Sequence, residues 1–265
     1  MDSVSTAEIA RWDPQFTEQA MRWVRLFLKA YHRAEASGLE SFPDGGVLVV
    51  SNHSGGLFAL DVPVLAAAFY ERFGYTRPIF TLSHDMLVTG AVGRLLSRAG
   101  FISATHESAA AALGSGGIVV VFPGGDYDAY RPTSARNTID FGGRTGYVRA
   151  AIASKVPIVP MVSIGGQENQ IYLTRGAGLA RALRVDKLMR VKIVPISLGA
   201  PFGLSVLPVN VPLPTKIVTK VLPPIDIQET FGSEPDIAEV DEHVRKVMQA
   251  ALDELAAARR FPVLG

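Results

Sequence analysis

The sequence predicts an α/β fold: a largely parallel, twisted sheet flanked by helices, with an amphipathic helix ahead of it. Three observations carry this. Short apolar, β-branched runs recur along the chain, helical stretches of about ten residues separate them, and polar glycine-rich corners follow several of the runs. At 265 residues, 48% of them hydrophobic and 19% charged, the chain has apolar side chains for an ample core and some to spare. The net charge of +1 gives no reason to expect nucleic acid as a partner. The absence of cysteine excludes disulfides, a thiol nucleophile and thiolate zinc sites. The amino terminus has neither a basic nor an apolar leader stretch, so a cytoplasmic address is expected.

Residues 7–36 show apolar side chains at three- and four-residue spacing (Phe16, Ala20, Trp23, Phe27, Tyr31) with Arg22, Arg25, Lys29 and Arg33 beside them. One amphipathic helix is expected there, within an N-terminal unit at 1–40. It packs on the domain or lies in a membrane interface, where aromatic and basic residues are favoured together. The α/β domain is expected at 41–265. Its buried strands are expected at 47–51, 78–82, 117–122 and 157–163, with a weaker one at 216–222. Helices are expected at 61–73, 90–99, 106–113, 144–154 and 237–260. From Ile193 to Thr215 no side chain is charged, yet five prolines forbid a continuous helix. Lipid-exposed irregular backbone is costly, so this is expected to be a buried or interfacial loop with Phe202, Leu204, Val206 and Leu207 at its tip.

The chemistry gathers at three strand ends: Ser51-Asn52-His53, Phe122-Pro-Gly124-Gly125-Asp126 and Ser163-Ile-Gly-Gly-Gln-Glu168. In a parallel sheet these ends share an edge, where open α/β sheets bind their ligands. His53 is the side chain suited to proton transfer near neutral pH, and Asp61, opening the next helix, is a carboxylate placed to orient it. Glycine at the second corner lets backbone N–H groups approach a ligand. Arg131 and Arg144 follow it, the latter at an expected helix start suited to an anion. A serine hydrolase of this fold class would need a Gly-x-Ser-x-Gly turn, and the chain has none.

The order Asn52-His53…Asp61, then Gly100-Phe-Ile, then Val119-Val-Val-Phe-Pro-Gly-Gly, then Val156-Pro-Ile-Val-Pro, resembles the glycerolipid acyltransferase superfamily, which includes the lysophosphatidic acid acyltransferases. The Phe-Pro-Gly-Gly corner and Gly203-Leu…Leu213-Pro-Thr-Lys look closer to the diacylglycerol-acyltransferase-like branch. The resemblance spans roughly Val47 to Ile225. It implies a His general base acting on an acceptor hydroxyl that attacks an acyl thioester directly, without an acyl-enzyme. Carried over by position, His53 is the base and Asp61 the orienting carboxylate. Asn52, Gly124, Gly125, Asp126, Arg131 and Arg144 are the expected substrate contacts. The implied partners are acyl-CoA as co-substrate, a lipid acceptor and the membrane surface at the cytoplasmic face, with no metal or cofactor. The chain departs from the family's pattern at three places. Seven residues rather than four separate His53 from its Asp, placing Phe58 where the Asp usually stands. Thr105 replaces an Arg, and Gly124 replaces the Glu of Phe-Pro-Glu-Gly. Those two replaced residues usually help bind the phosphate of the acceptor. A catalytically inactive lipid-binding relative is the alternative that these departures raise.

Overall fold

A computed structural model describes residues 3–53, 55, 59–182, 194–206 and 210–261. The strands are β1 (Glu35–Ser37), β2 (Val47–Ser51), β3 (Ile79–Ser83), β4 (Phe101–Ser103), β5 (Ile118–Val121), β6 (Ile158–Ile164), β7 (Ile171–Thr174), β8 (Ile196–Gly199), β9 (Gly203–Ser205) and β10 (Val218–Val221). The helices are α1 (Ser3–Ile9), α2 (Pro14–His32), α3 (Asp61–Phe73), α4 (Asp85–Val88), α5 (Gly90–Arg98), α6 (His106–Gly114), α7 (Gly125–Ala129), α8 (Gly146–Ser154), α9 (Ala177–Ala182), α10 (Ile227–Phe231) and α11 (Ile237–Ala258).

Among the described residues, seven strands form the main sheet in the order β1-β10-β6-β2-β5-β3-β4. From β6 to β4 neighbours are parallel, while β10 meets β6 antiparallel and β1 runs alongside β10. β2 sits centrally, hydrogen-bonded to β5 and β6, and all five of its residues are buried. That explains its unbroken apolar run, since a strand covered on both faces has no polar side to alternate with. Leu48, Val50 and Val119 pack on one face with Val148 of α8 and Val244 and Met248 of α11. Val47, Val49 and Val120 pack on the other with Val62, Leu65 and Phe69 of α3 and Met21 of α2. Each such side chain contributes about 1.5–3 kcal/mol on burial, so the central sheet is a stiff platform for the corners at its carboxyl edge.

The single helix expected over 7–36 is two helices. Asp13 takes extended geometry, as a residue before proline prefers, and its Oδ1 accepts from the Phe16 N–H at 2.9 Å to cap α2, with Pro14 in the first turn. α1 is tied to the domain through Glu8, whose carboxylate accepts from Ser103 N–H and Oγ and from Ser108 Oγ. α2 buries Met21 and Leu28 but leaves Trp23 75%, Leu26 60% and Phe27 46% exposed. It therefore both packs on the domain and presents an apolar face to the outside.

The charge-poor segment contributes β8 and β9, which join β7 in a small antiparallel sheet. Leu198, Phe202, Leu204 and Val206 of this hairpin are exposed; Ile193, Leu207 and Pro208 lie outside the described residues. The returning chain is stitched to the end of α2. Tyr31 Oη donates to Pro212 O at 2.7 Å, Arg33 Nη2 donates to Pro214 O at 3.0 Å, and His32 Nδ1 lies 3.0 Å from Thr215 O. No helix among the described residues is long and apolar enough to cross a membrane.

Candidate active site

The three polar corners meet. β5, β2 and β6 are adjacent and parallel, so the residues after Val121, Ser51 and Ile164 emerge at one edge. Asn52 locks the first corner to the third. Its Nδ2 donates to Ser163 O at 2.9 Å and its Oδ1 accepts from Ser163 N–H at 2.8 Å. Expected as a substrate contact, Asn52 is instead buried and spends both ends of its amide on the neighbouring strand. Gln167 Nε2 adds a bond to His53 O at 3.3 Å. The two backbones approach so closely that a side chain at Gly55 would put its Cβ 2.3 Å from Gly166 O, which is why only glycine fits there.

His53 keeps part of its surface open, packs its ring against Phe122 at 4.8 Å between centroids, and has its Nδ1 buried without a hydrogen-bond partner. Desolvation holds the imidazole down at about 4, so the ring is neutral throughout the physiological range. Asp61 lies fully buried at the first turn of α3, close enough for its charge to act on Asp128. Ser54, Gly56 and Phe58, between His53 and Asp61, lie outside the described residues.

The carboxylate that bonds to His53 through the backbone is Asp128. Its Oδ2 accepts from the His53 N–H at 2.7 Å, and its Oδ1 lies 2.7 Å from Arg131 Nη2. Both side chains of this ion pair are buried. Burial pushes the Asp128 carboxyl up to about 7, against the pull of the Arg131 guanidinium and the His53 N–H, and the like charges of Asp61 and Asp140 add to the rise. Arg131, expected at a substrate anion, is 2% exposed and also donates to Asp140 O at 3.1 Å. Its charge is matched inside the protein because Asp128, three residues earlier on the same turn, is within reach. From the sequence, Asp61 rather than Asp85, Asp126 or Asp128 is the carboxylate expected nearest His53. The signal for Asp128 was the Asp128/Arg131 spacing in a turn otherwise too polar to look buried.

Gly124 and Gly125 form the turn into α7. A Cβ on Gly124 would lie 2.4 Å from the Asp128 Cβ. Arg144 crosses above this turn, its Nη1 donating to Gly124 O at 2.6 Å and its Nη2 pairing with Asp126 Oδ1 at 2.8 Å. α8 begins at Gly146 rather than at Arg144, so Arg144 stands ahead of the helix and its guanidinium is directed to the second corner. Arg144 and Asp126 are each nearly half exposed, at the open side of the site. Among the described residues, no three His, Asp or Glu side chains cluster in a way that would hold a metal ion.

Comparison with known proteins places these corners in context. Residues 33–164 match the family model described as Acyltransferase. An uncharacterised protein of Mycobacterium tuberculosis is 33% identical over 256 residues, covering 94% of this chain and 69% of the relative. One of Mycobacterium leprae is also 33% identical, over 94% of this chain and 67% of its own length. A mouse protein named DGAT1/2-independent enzyme synthesizing storage lipids is 28% identical over 131 residues, covering 49% of this chain and 39% of that protein. The crystal structure of the 1-acyl-sn-glycerophosphate acyltransferase PlsC from Thermotoga maritima shares the fold. Its TM-score is 0.55 at 20% identity, over 96% of this chain and 81% of that one. With the strand order, the His53 corner and these matches in agreement, the chain belongs to the acyltransferase family.

Proposed function

We propose that this chain is a peripheral membrane O-acyltransferase that moves a fatty acyl group from acyl-CoA to a hydroxyl of a glycerolipid. The observation that carries the reading is a neutral, partly open His53 at the edge where three strand ends converge. In the reaction the acceptor oxygen attacks the thioester carbonyl carbon while its proton passes to the imidazole. The C–S bond then breaks, and the leaving thiolate takes the proton back as CoA. Asp61 orients the ring and stabilises the imidazolium in the working complex, since catalytic hydrogen bonds often tighten only when substrate is bound. Gly124, Gly125 and Asp126 shape the floor, and Arg144 meets the phosphates of the donor.

An uncharged acceptor suits this corner best. Thr105 stands where the family's phosphate-binding Arg would be, and it caps α6 by accepting from Ser108 N–H. Arg131 is buried against Asp128. The exposed apolar side chains of α2 and of the β8–β9 hairpin support docking on a bilayer at the cytoplasmic face, through which acyl chains reach the site.

The test is acyl transfer by the purified protein on vesicles carrying either a diacylglycerol or a lysophosphatidic acid, with product lipids identified by mass spectrometry. Because the chain has no cysteine, thiol released from acyl-CoA can be followed without background from the protein. Transfer to the neutral lipid, lost in His53→Ala, is the expected result. Thiol release at the same rate in His53→Ala would overturn the role of His53, and an absence of turnover on every acceptor would favour the inactive lipid-binding alternative.

A further inference from the structure

We propose that Asp128 is a positioning residue for this acyl transfer. In this chain it supplies from one turn along α7 the acidic group that the family's corner carries at position 124, and it fixes the His53 backbone, with Arg131 as its counter-ion. This rests on the assignment of His53 as the base.

Three observations on separate atoms converge on it. The Asp128 Oδ2 accepts from the His53 N–H at 2.7 Å, a short charge-assisted bond to the residue whose ring must be aimed. The side chain is completely buried, so the bond is shielded from competing water. Finally, a Cβ at position 124 would sit 2.4 Å from the Asp128 Cβ and 3.3 Å from its Oδ2. Any side chain at position 124 would therefore collide with residue 128 on this backbone, so position 124 is glycine and the acid of this turn stands at 128.

The relocation changes what the acid does. At position 128 both oxygens are spoken for inside the protein, one by His53 N–H and one by Arg131. Asp128 thus faces neither solvent nor substrate, and its influence on the reaction passes through His53. The groups around it are the Arg131 guanidinium, the His53 N–H, and the carboxylates of Asp61 and Asp140, which oppose its ionisation. Burial works against the charged form of this carboxylate, and Arg131 is the main group that favours it. Removing one partner alone strands the other charge, which typically destabilises strongly, whereas removing both can be close to neutral.

The experiment compares Asp128→Asn, the paired variant Asp128→Asn/Arg131→Gln, and His53→Ala in the full chain. Asparagine retains an oxygen for the His53 N–H but cannot neutralise Arg131. Asp128→Asn is expected to lower kcat about tenfold with KM for acyl-CoA unchanged, and the paired variant to recover the melting temperature while kcat stays low. In the unmodified protein the His53 amide proton should resonate far downfield and move as pH is lowered through the protonation of Asp128. In the paired variant that movement should vanish. A paired variant that folds with kcat, KM and pH profile equal to the parent would overturn the proposal and leave the pair structural only. So would a His53 amide in the unmodified protein that shows no pH-dependent shift, an observation that needs no variant to fold. If instead His53→Ala retains transfer, the assignment of the base fails, and the amide measurement still reports whether the Asp128 bond exists.

Discussion

The corner around His53 and the hairpin of β8 and β9 treat solvent in opposite ways. At the corner, charged and polar groups are taken out of water and matched: Asp128 with Arg131, Asn52 with the Ser163 backbone. At the hairpin, apolar groups are left in water unmatched: Leu198, Phe202, Leu204 and Val206 all face outward, as do Trp23, Leu26 and Phe27 on α2. Each arrangement costs free energy in isolation, because buried charge loses hydration and exposed hydrocarbon orders water. A chain that carries both has a use for both. The corner needs fixed geometry at one ring nitrogen, whereas the hairpin needs only area and an absence of charge.

If that division is right, variants at the two places should separate turnover from membrane binding. The largest effect belongs to the corner: His53→Ala should reduce kcat by about 10²–10⁴-fold while vesicle sedimentation stays as in the parent. Next, replacing Phe202 and Leu204 together by Ser should weaken vesicle binding by about 10²–10⁴-fold, at roughly 1.5–3 kcal/mol for each buried side chain. Sedimentation with liposomes measures it, and kcat on a detergent-dispersed acceptor should be unaffected. Unchanged sedimentation would mean that the hairpin does not meet the bilayer. Arg144→Ala should then raise KM for acyl-CoA by about tenfold, the value of one charge-assisted contact. A drop in melting temperature with both Michaelis constants preserved would instead assign Arg144 to holding the Gly124–Asp126 turn, where it is already paired.

The smallest effect concerns pH. His53 titrates at about 4 in the fold against 6.5 when unfolded, so its contribution to stability is intact above 6.5 and is lost as pH falls towards 4. Asp128 has the opposite sign. Its folded value of about 7 exceeds the unfolded 3.8, so its contribution is intact below 3.8 and lost as pH rises towards 7. Between pH 4 and 7 the two slopes oppose each other. Relative to the parent, the melting temperature of His53→Ala should fall more as pH rises through this window, and that of Asp128→Asn more as pH falls. Parallel curves for all three proteins would show that neither group is as desolvated as its surroundings imply.

The elements that run through the middle of the molecule were legible in the sequence because burial on both faces writes a continuous apolar run, as in Val47–Ser51 and Ile158–Ile164. The edge strands were not. β1, β4 and β9 are three residues long and lie partly or wholly exposed, so neither length nor alternation distinguishes them from loop. The break at Asp13-Pro14 had a local signal in proline, but the apolar spacing on either side of it hid the boundary. At the site, His53 was readable from its place after a buried strand. The partner at Asp128 was not, because an aspartate in Gly125-Asp-Tyr-Asp-Ala looks like a solvated turn until the fold closes over it.

The end of α11 carries a last consequence, for synthesis on the ribosome. Glu168, in the loop that follows the third strand end, is 5% exposed and is held by Arg136 Nε at 3.2 Å and by Arg259 Nη1 at 2.9 Å. Arg259 is made some ninety residues after the carboxylate it meets. A nascent chain can lay down β2, β5 and β6 in order, with that loop held by Arg136 and by the Gln167–His53 bond, and still lack the contact from Arg259. The corner is latched from both sides when translation has passed residue 259, so the growing chain carries its base for a long interval before the frame around it is closed.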